Sequence, residues 1–169
     1  HIKVTNQTSI ECAHLLDNGQ VDFIITNYPN SGLSNTQNVR MINEFHDVFV
    51  ADRSHFPLEG KKLSLQDLQQ YPILMLDRKS TTSEFLHRMF QRSQLDLVPE
   101  IELSSNDLLI DLARIGLGIA FVPDFCIPKN EEQLYVLDLE ESLPARQMVV
   151  AYNENLPISQ AARQFMDML

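Results

Sequence analysis

The 169-residue sequence has no tryptophan, only five glycines and two cysteines, and no long apolar run. No stretch approaches the roughly 20 apolar residues that cross a bilayer, and the first residues lack the apolar stretch of a signal peptide. Cys12 and Cys126 are too few for a disulfide framework and indicate a reduced, cytoplasmic protein. We therefore expect neither a membrane-bound nor a disulfide-stabilised secreted protein.

Positive charge is also scarce, with 13 Lys and Arg against 23 Asp and Glu and a formal net charge of −10. Because an acidic surface repels phosphate, we do not expect this chain to bind nucleic acid by itself. The hydrophobic share of 44% is enough to build a core, so the chain is expected to fold. Its length suits one compact domain or one two-lobed unit.

Short apolar strands alternate with amphipathic helices along the sequence, which predicts an α/β fold with helices covering mostly parallel strands. Residues 2–5, 8–17 and 21–25 are predicted to form a strand, a helix and a strand, a βαβ unit with a right-handed crossover. Thr8 is the expected helix cap, with Glu11 completing a capping box.

A second capping box is predicted at Thr81 and Glu84. It follows the apolar strand 73–76, and the helix behind it carries an apolar face with a 3.6-residue period. The residues of this face are Phe85, Leu86, Met89 and Phe90.

Motifs for catalysis and cofactor binding are absent or misplaced. Gly116 and Gly118 lie between a predicted helix and a strand, the reverse of a dinucleotide-binding loop, and no phosphate-binding P-loop sequence occurs. The five histidines lack metal-ligand spacing, and no nucleophile elbow is found. We therefore predict no catalytic residue, no metal and no cofactor, although a triad assembled from distant residues stays an open alternative.

Two hydroxyl-rich turns directly follow predicted buried strands, at residues 6–9 and 80–83. Ligands of open α/β sheets bind beyond the carboxyl ends of strands, where helix N-termini attract small anions. Asn27 also follows a predicted strand, although a turn role would explain it equally well. Helix capping alone would account for either turn, but the two together favour a pocket for a polar small molecule.

Five segments, in their order and spacing, resemble the effector-binding domain of LysR-type transcriptional regulators. They are LLDNGQVDFII (15–25), VFVADRSHFPL (48–58), LSLQDL with YPI (63–68 and 71–73), STT with Phe90 (80–82), and GLGIAFVP (116–123). The resemblance covers nearly the whole chain.

This resemblance implies a type-2 periplasmic-binding-protein-like fold, in which two α/β lobes enclose a small effector in a cleft. Lobe one would comprise 1–27 plus 157–169, and lobe two 28–156 with the crossover strands. The family domain normally begins one strand and one helix earlier and follows a winged helix-turn-helix. We therefore expect that lobe one is incomplete and that the sequence is part of a longer protein.

The resemblance places effector contacts on three turns that the physical argument also selects, and adds two weaker candidates after a lobe-two strand. The predicted ligand-binding residues are Gln7, Thr8, Ser9, Asn27, Ser80, Thr81, Thr82, Ser104 and Ser105.

The predicted function is that of the sensing domain of a transcription regulator, which binds a small polar or anionic effector. The resemblance implies a homodimer or tetramer of the full-length protein, DNA contact only through the absent N-terminal domain, and no membrane contact. One alternative is a solute-binding protein for transport with the same fold. The other is an enzyme on a similar scaffold.

Overall fold

The computed structural model describes residues 2–35 and 37–169. His1, within predicted lobe one, and Thr36, within predicted lobe two, lie outside the described residues.

The chain divides into two compact units. Unit 1 comprises His1–Glu44 and Arg146–Leu169, and unit 2 comprises Phe45–Ala145. Residues 28–44 and 146–156, which the predicted division assigns to lobe two, belong to the compact unit 1.

Among its described residues, unit 1 contains two helices and three strands. These are α1 (Ser9–Asp17), β1 (Ile24–Tyr28), β2 (Gln37–Phe45, whose last residue is the first of unit 2), β10 (Arg146–Asn153) and α5 (Gln160–Met166).

Unit 2 contains the remaining elements. These are β3 (Asp47–Asp52), β4 (Lys62–Leu63), α2 (Leu65–Leu68), β5 (Ile73–Leu76), α3 (Thr81–Arg92), β6 (Ile101–Leu103), α4 (Asn106–Arg114), β7 (Ile119–Pro123), a 3-10 turn (Asp124–Cys126), β8 (Leu134–Val136) and β9 (Asp138–Leu139).

The sheet of unit 1 has the strand order β1-β10-β2. β1 and β10 are antiparallel, with Ile24 opposite Ala151. Helix α1 packs on one face of this sheet, where its Ala13 and Leu16 form a small core with Ile24 and Ala151.

The main sheet of unit 2 has the order β6-β5-β7-β3-β8, in which β6, β5 and β7 are parallel and β3 and β8 are antiparallel to their neighbours. Strand β5 is buried along its whole length, so its side chains supply both faces of the sheet. Met75 packs on one face with Leu86 and Phe90 of α3. Leu74 packs on the other face with Leu109 of α4.

Two predictions about the sheets are wrong in detail. Residues 2–8 carry no regular structure, so the predicted strand at 2–5 and its βαβ unit do not form. A strand needs a partner, and β1, the expected neighbour, pairs instead with β10. The sheets are also mixed rather than mostly parallel, because an apolar run of residues predicts a buried strand but not its direction.

The α/β fold class itself is confirmed, and the amphipathic pattern locates the helices well. The predicted helix 8–17 corresponds to α1, and the predicted apolar face behind residue 81 lies on α3. On that face Leu86 and Phe90 are fully buried, while Phe85 and Met89 pack at the margin of the core.

Candidate functional site

The carboxyl end of β5 lies at a topological switch point of unit 2, because in the strand order β6-β5-β7 the chain leads from β5 to β6 on one side and β7 lies on the other. The chain leaves β5 for α3, which packs on one face of the sheet, and leaves β6 for α4, which packs on the other. The two turns adjoin, since the backbone N–H of Asp77 donates to the carbonyl of Leu103 at 3.0 Å. Ligands of open α/β sheets usually bind outside the carboxyl ends of the strands at such a point.

The first turn of α3 presents three buried hydroxyl residues at this edge, called here the hydroxyl turn: Ser80, Thr81 and Thr82. Ser80 is the N-cap, and its Oγ accepts hydrogen bonds from the N–H groups of Thr82 at 3.1 Å and Ser83 at 3.2 Å. The exposed fractions are 5% for Ser80 and 1% for each threonine. The predicted cap at Thr81 is therefore wrong by one residue, and Thr81 is the first helical residue.

The other two hydroxyl candidates of unit 2 lie at the same edge. Ser105 caps α4, and its Oγ accepts from the N–H of Leu108 at 3.3 Å. Ser104 is exposed and lies directly after β6. The structure thus brings the hydroxyl turn and Ser104–Ser105 to two adjoining turns at the carboxyl edge of the sheet.

Positive charge lies beside the hydroxyl turn, and negative charge lies near the carboxyl end of β7. The exposed Arg78 and Lys79 directly precede the hydroxyl turn, and the N-terminus of the 12-residue helix α3 adds partial positive charge. On the β7 side, burial and the charges of Asp107, Asp47 and Asp124 raise the pKa of Cys126 to about 11. The Cys126 thiol is therefore protonated near neutral pH and is unsuited to nucleophilic catalysis.

The candidates of unit 1 lie at the start of α1. Thr8 is the N-cap as predicted, with its Oγ1 accepting from the N–H of Glu11 at 3.4 Å. Ser9 is the first helical residue, and Gln7 precedes the cap on an exposed segment.

Asn27 lies within β1, opposite Met148, rather than after a strand. Side chains alternate along a strand, so Asn27 and Ile24 lie on opposite faces, and α1 packs on the face of Ile24. The structure therefore does not bring the Asn27 side chain to the start of α1.

Asn30, which the sequence analysis missed, is the polar side chain after β1 that contacts the start of α1. Its Nδ2 donates to the carbonyl of Ser9 at 2.8 Å and to the Thr26 hydroxyl at 3.0 Å. Its Oδ1 accepts from the N–H of Gly32 at 2.9 Å. Only the bond to Gly32 had a local signal, the Pro-Asn-Ser-Gly turn at 29–32, in which asparagine often bonds to backbone two residues on.

No arrangement for a metal or a membrane is found in the part of the chain that the structure describes. Among those residues no group of three or more His, Cys, Asp and Glu side chains is placed to hold a metal ion. Within residues 2–35 and 37–169, no helix combines the length and the hydropathy needed to cross a membrane.

Comparison with known proteins identifies a family along the whole chain. The family model described as "LysR substrate binding domain" matches residues 1–169. A curated relative, the HTH-type transcriptional activator CmpR of Synechocystis sp. (strain ATCC 27184 / PCC 6803 / Kazusa), is 28% identical over 134 residues, which are 78% of this chain and 44% of the relative. The chain spans about half the length of the curated relatives it matches.

Two solved structures share the fold. The regulatory domain of Synechocystis PCC6803 CcmR, in complex with 2-PG, has a TM-score of 0.83 at 23% identity and covers 95% of this chain and 77% of its own. The effector binding domain of QuiR, in complex with shikimate, has a TM-score of 0.80 at 20% identity, with 95% and 75% covered.

Proposed function

Since this chain belongs to the family of LysR substrate-binding domains, we propose that it binds a small polar or anionic effector and thereby controls the activity of a longer transcription regulator. Effector binding acts by shifting the population of conformations and performs no chemistry. The curated relatives are named as transcription regulators, which matches this function and not the transport alternative. They are not named as enzymes either.

The observation that carries the proposal is the hydroxyl turn at the switch point of unit 2. Its three hydroxyl residues are at least 95% buried, at the N-terminus of a helix that follows a buried parallel strand. Hydroxyl groups bind oxygen atoms of a ligand without placing a fixed charge at the site. Such a lining suits a small molecule rich in oxygen.

An anionic group fits the charges that surround this turn. The partial positive charge of α3 and the neighbouring Arg78 and Lys79 attract an anion, although the chain as a whole is acidic. The two solved structures, in complex with 2-PG and with shikimate, support a ligand of small size. Ser104 and Ser105 would reach the same ligand from the adjoining turn.

The proposal keeps the four candidate ligand-binding residues of unit 1, but the structure supports them unequally. They are Gln7, Thr8, Ser9 and Asn27. Thr8 and Ser9 lie at a helix start, as the hydroxyl residues of unit 2 do. Asn27 lies on the opposite face of its sheet and is the weakest of the four.

The regulator as a whole is proposed to be a cytoplasmic homodimer or tetramer. It would contact DNA through a helix-turn-helix domain outside the present sequence, as the name of the CmpR relative suggests. The net charge of −10 supports assigning effector binding to this chain and DNA binding to another domain, because DNA binding needs a basic surface.

Calorimetric titration of the purified chain tests the proposal, with 2-PG and shikimate as probes. We expect at least one probe to bind. Thr81→Ala should weaken the affinity for that probe about tenfold, because the loss of one hydrogen bond costs about 1.4 kcal/mol. The α3 cap is Ser80, so Thr81→Ala leaves the cap intact. Ser93→Ala, an exposed change at the other end of α3, serves as the control. Equal affinities of the wild type and Thr81→Ala would refute the role of the hydroxyl turn.

A further inference from the structure

Ser83, the third residue of α3, carries a hydroxyl that is sealed from solvent. Its exposed fraction is 0%, and among the residues that the structure describes its Oγ has no hydrogen-bond partner. Buried hydroxyls are nearly always hydrogen-bonded, because an unsatisfied one loses its bonds to water without replacement. An alanine would avoid this cost, so a serine here points to a partner from outside the chain.

The position of Ser83 on the helix directs its hydroxyl to the switch point. Ser83 precedes Leu86 by three residues and Phe90 by seven, which places it on the same face of α3, toward the sheet. Side chains of a helix tilt toward its N-terminus, so the hydroxyl points to the carboxyl ends of the strands. The hydroxyl turn begins at that edge.

We propose that the Ser83 hydroxyl binds the effector directly, as a hydrogen-bonding group beyond Ser80, Thr81 and Thr82. This inference rests on the proposed function and deepens it. Since the hydroxyl is fully enclosed, the atom that it binds must be enclosed by protein as well. That condition fits an oxygen of a small organic molecule and excludes a macromolecular partner at this position.

An internal water is the competing explanation, and it makes a different prediction. His87 lies one helical turn after Ser83, and its Nε2 is likewise buried without a partner among the described residues. A water that bridges the two side chains would stabilise the free protein, so loss of the Ser83 hydroxyl would destabilise it. An effector contact instead leaves the free protein unaffected or more stable when the hydroxyl is removed.

The test compares Ser83→Ala, Thr81→Ala and the exposed control Ser93→Ala, by calorimetric titration with 2-PG and shikimate and by the Tm of the free chain. We expect Ser83→Ala to bind the better probe about tenfold more weakly, with a Tm no lower than that of Ser93→Ala. Ser83→Cys, which keeps a side-chain donor that is weaker and somewhat larger, should give an intermediate affinity.

The possible failures are distinguishable. If Thr81→Ala weakens probe binding and Ser83→Ala does not, Ser83 is no effector contact and the proposed function stands. A Tm of free Ser83→Ala below that of the control indicates a structural partner and overturns the inference. If neither probe binds the wild-type chain, the inference and the proposed function with these ligand types both fail.

Discussion

The imidazole ring of His55 lies directly against the backbone of Gly116, so that a Cβ added to this glycine would lie 2.2 Å from His55 Cγ. Gly116 has φ = +78° and ends α4, with its N–H donating to the carbonyl of Ala113 at 2.9 Å. Asp52 holds the ring in place, with its Oδ2 at 3.0 Å from His55 Nδ1. Both the turn and the close approach therefore require glycine.

Gly116→Ala is expected to lower the free energy of unfolding by about 2–3 kcal/mol, from left-handed backbone strain together with displacement of the His55 ring. Urea denaturation of the two proteins measures the difference. Gly60→Ala is a matched control, since Gly60 has φ = +75° with nothing within 4 Å of an added Cβ. It should cost only the backbone strain, about 1 kcal/mol.

The steric part of this cost can be isolated. In a His55→Ala background, Gly116→Ala should cost no more than Gly60→Ala, because the ring that opposes the new Cβ is gone. An unchanged cost in that background would show that His55 can move aside freely, contrary to this explanation.

The ionised Asp52 carboxylate is expected to make the free energy of unfolding depend on pH in the acid range. The hydrogen bond from His55, followed by the N–H groups of Ser54 and His55, lowers the pKa of this buried carboxylate below its usual value. Its contribution to stability is therefore present above the pKa of unfolded aspartate, about 3.9, and is lost as the pH falls through the lower folded value. Asp52→Asn should be less stable than the wild type at pH 6, and the difference should shrink below about pH 4. A constant difference from pH 6 to pH 3 in denaturant titrations would contradict this role.

Asn30 is expected to anchor the start of α1. Asn30→Ala removes two donated hydrogen bonds and one accepted bond at a side chain that is 6% exposed. We expect a loss of about 2–3 kcal/mol in the free energy of unfolding, since three hydrogen bonds of a buried amide are lost together. Asn27→Ala, three residues earlier and on the other face of the sheet, should cost well under 1 kcal/mol. Similar losses for both variants would mean that Asn30 has no special role.

The sequence predicts the elements of this fold better than their pairing. Leu86 and Phe90 locate α3 because a 3.6-residue apolar period arises only where one face of a helix is buried. The continuous apolar run 73–76 predicts a strand that is buried on both faces. It does not predict the direction of that strand, since β5 is parallel to β7 whereas β3, which is also buried, is antiparallel to it. Direction depends on connections distant in sequence, which a local pattern does not contain.

The candidate site shows a similar limit. The hydroxyl turn could be selected because a strand, a cap and a helix follow one another within ten residues. Its cap could not be assigned, since Ser80 and Thr81 are both good N-cap residues and only the backbone geometry selects Ser80. The contact between Asn30 and Ser9 spans 21 residues, so no local pattern reveals it. The effector contacts themselves stay predictions.

The charge of the effector can be tested at Ser80 without loss of the helix cap. Ser80→Asp keeps an oxygen that accepts from the N–H groups of Thr82 and Ser83, but it also buries a carboxylate at a position that is only 5% exposed, so binding is compared at a temperature at which a melting curve shows the variant to be folded. The new carboxylate repels an anion, so binding of an anionic probe should fall by at least about tenfold, and less so at high salt. Ser159→Asp makes the same change at the cap of α5, outside the candidate residues, and should leave binding intact. If Ser80→Asp binds shikimate as tightly as the wild type, the effector's charged group does not lie at the hydroxyl turn.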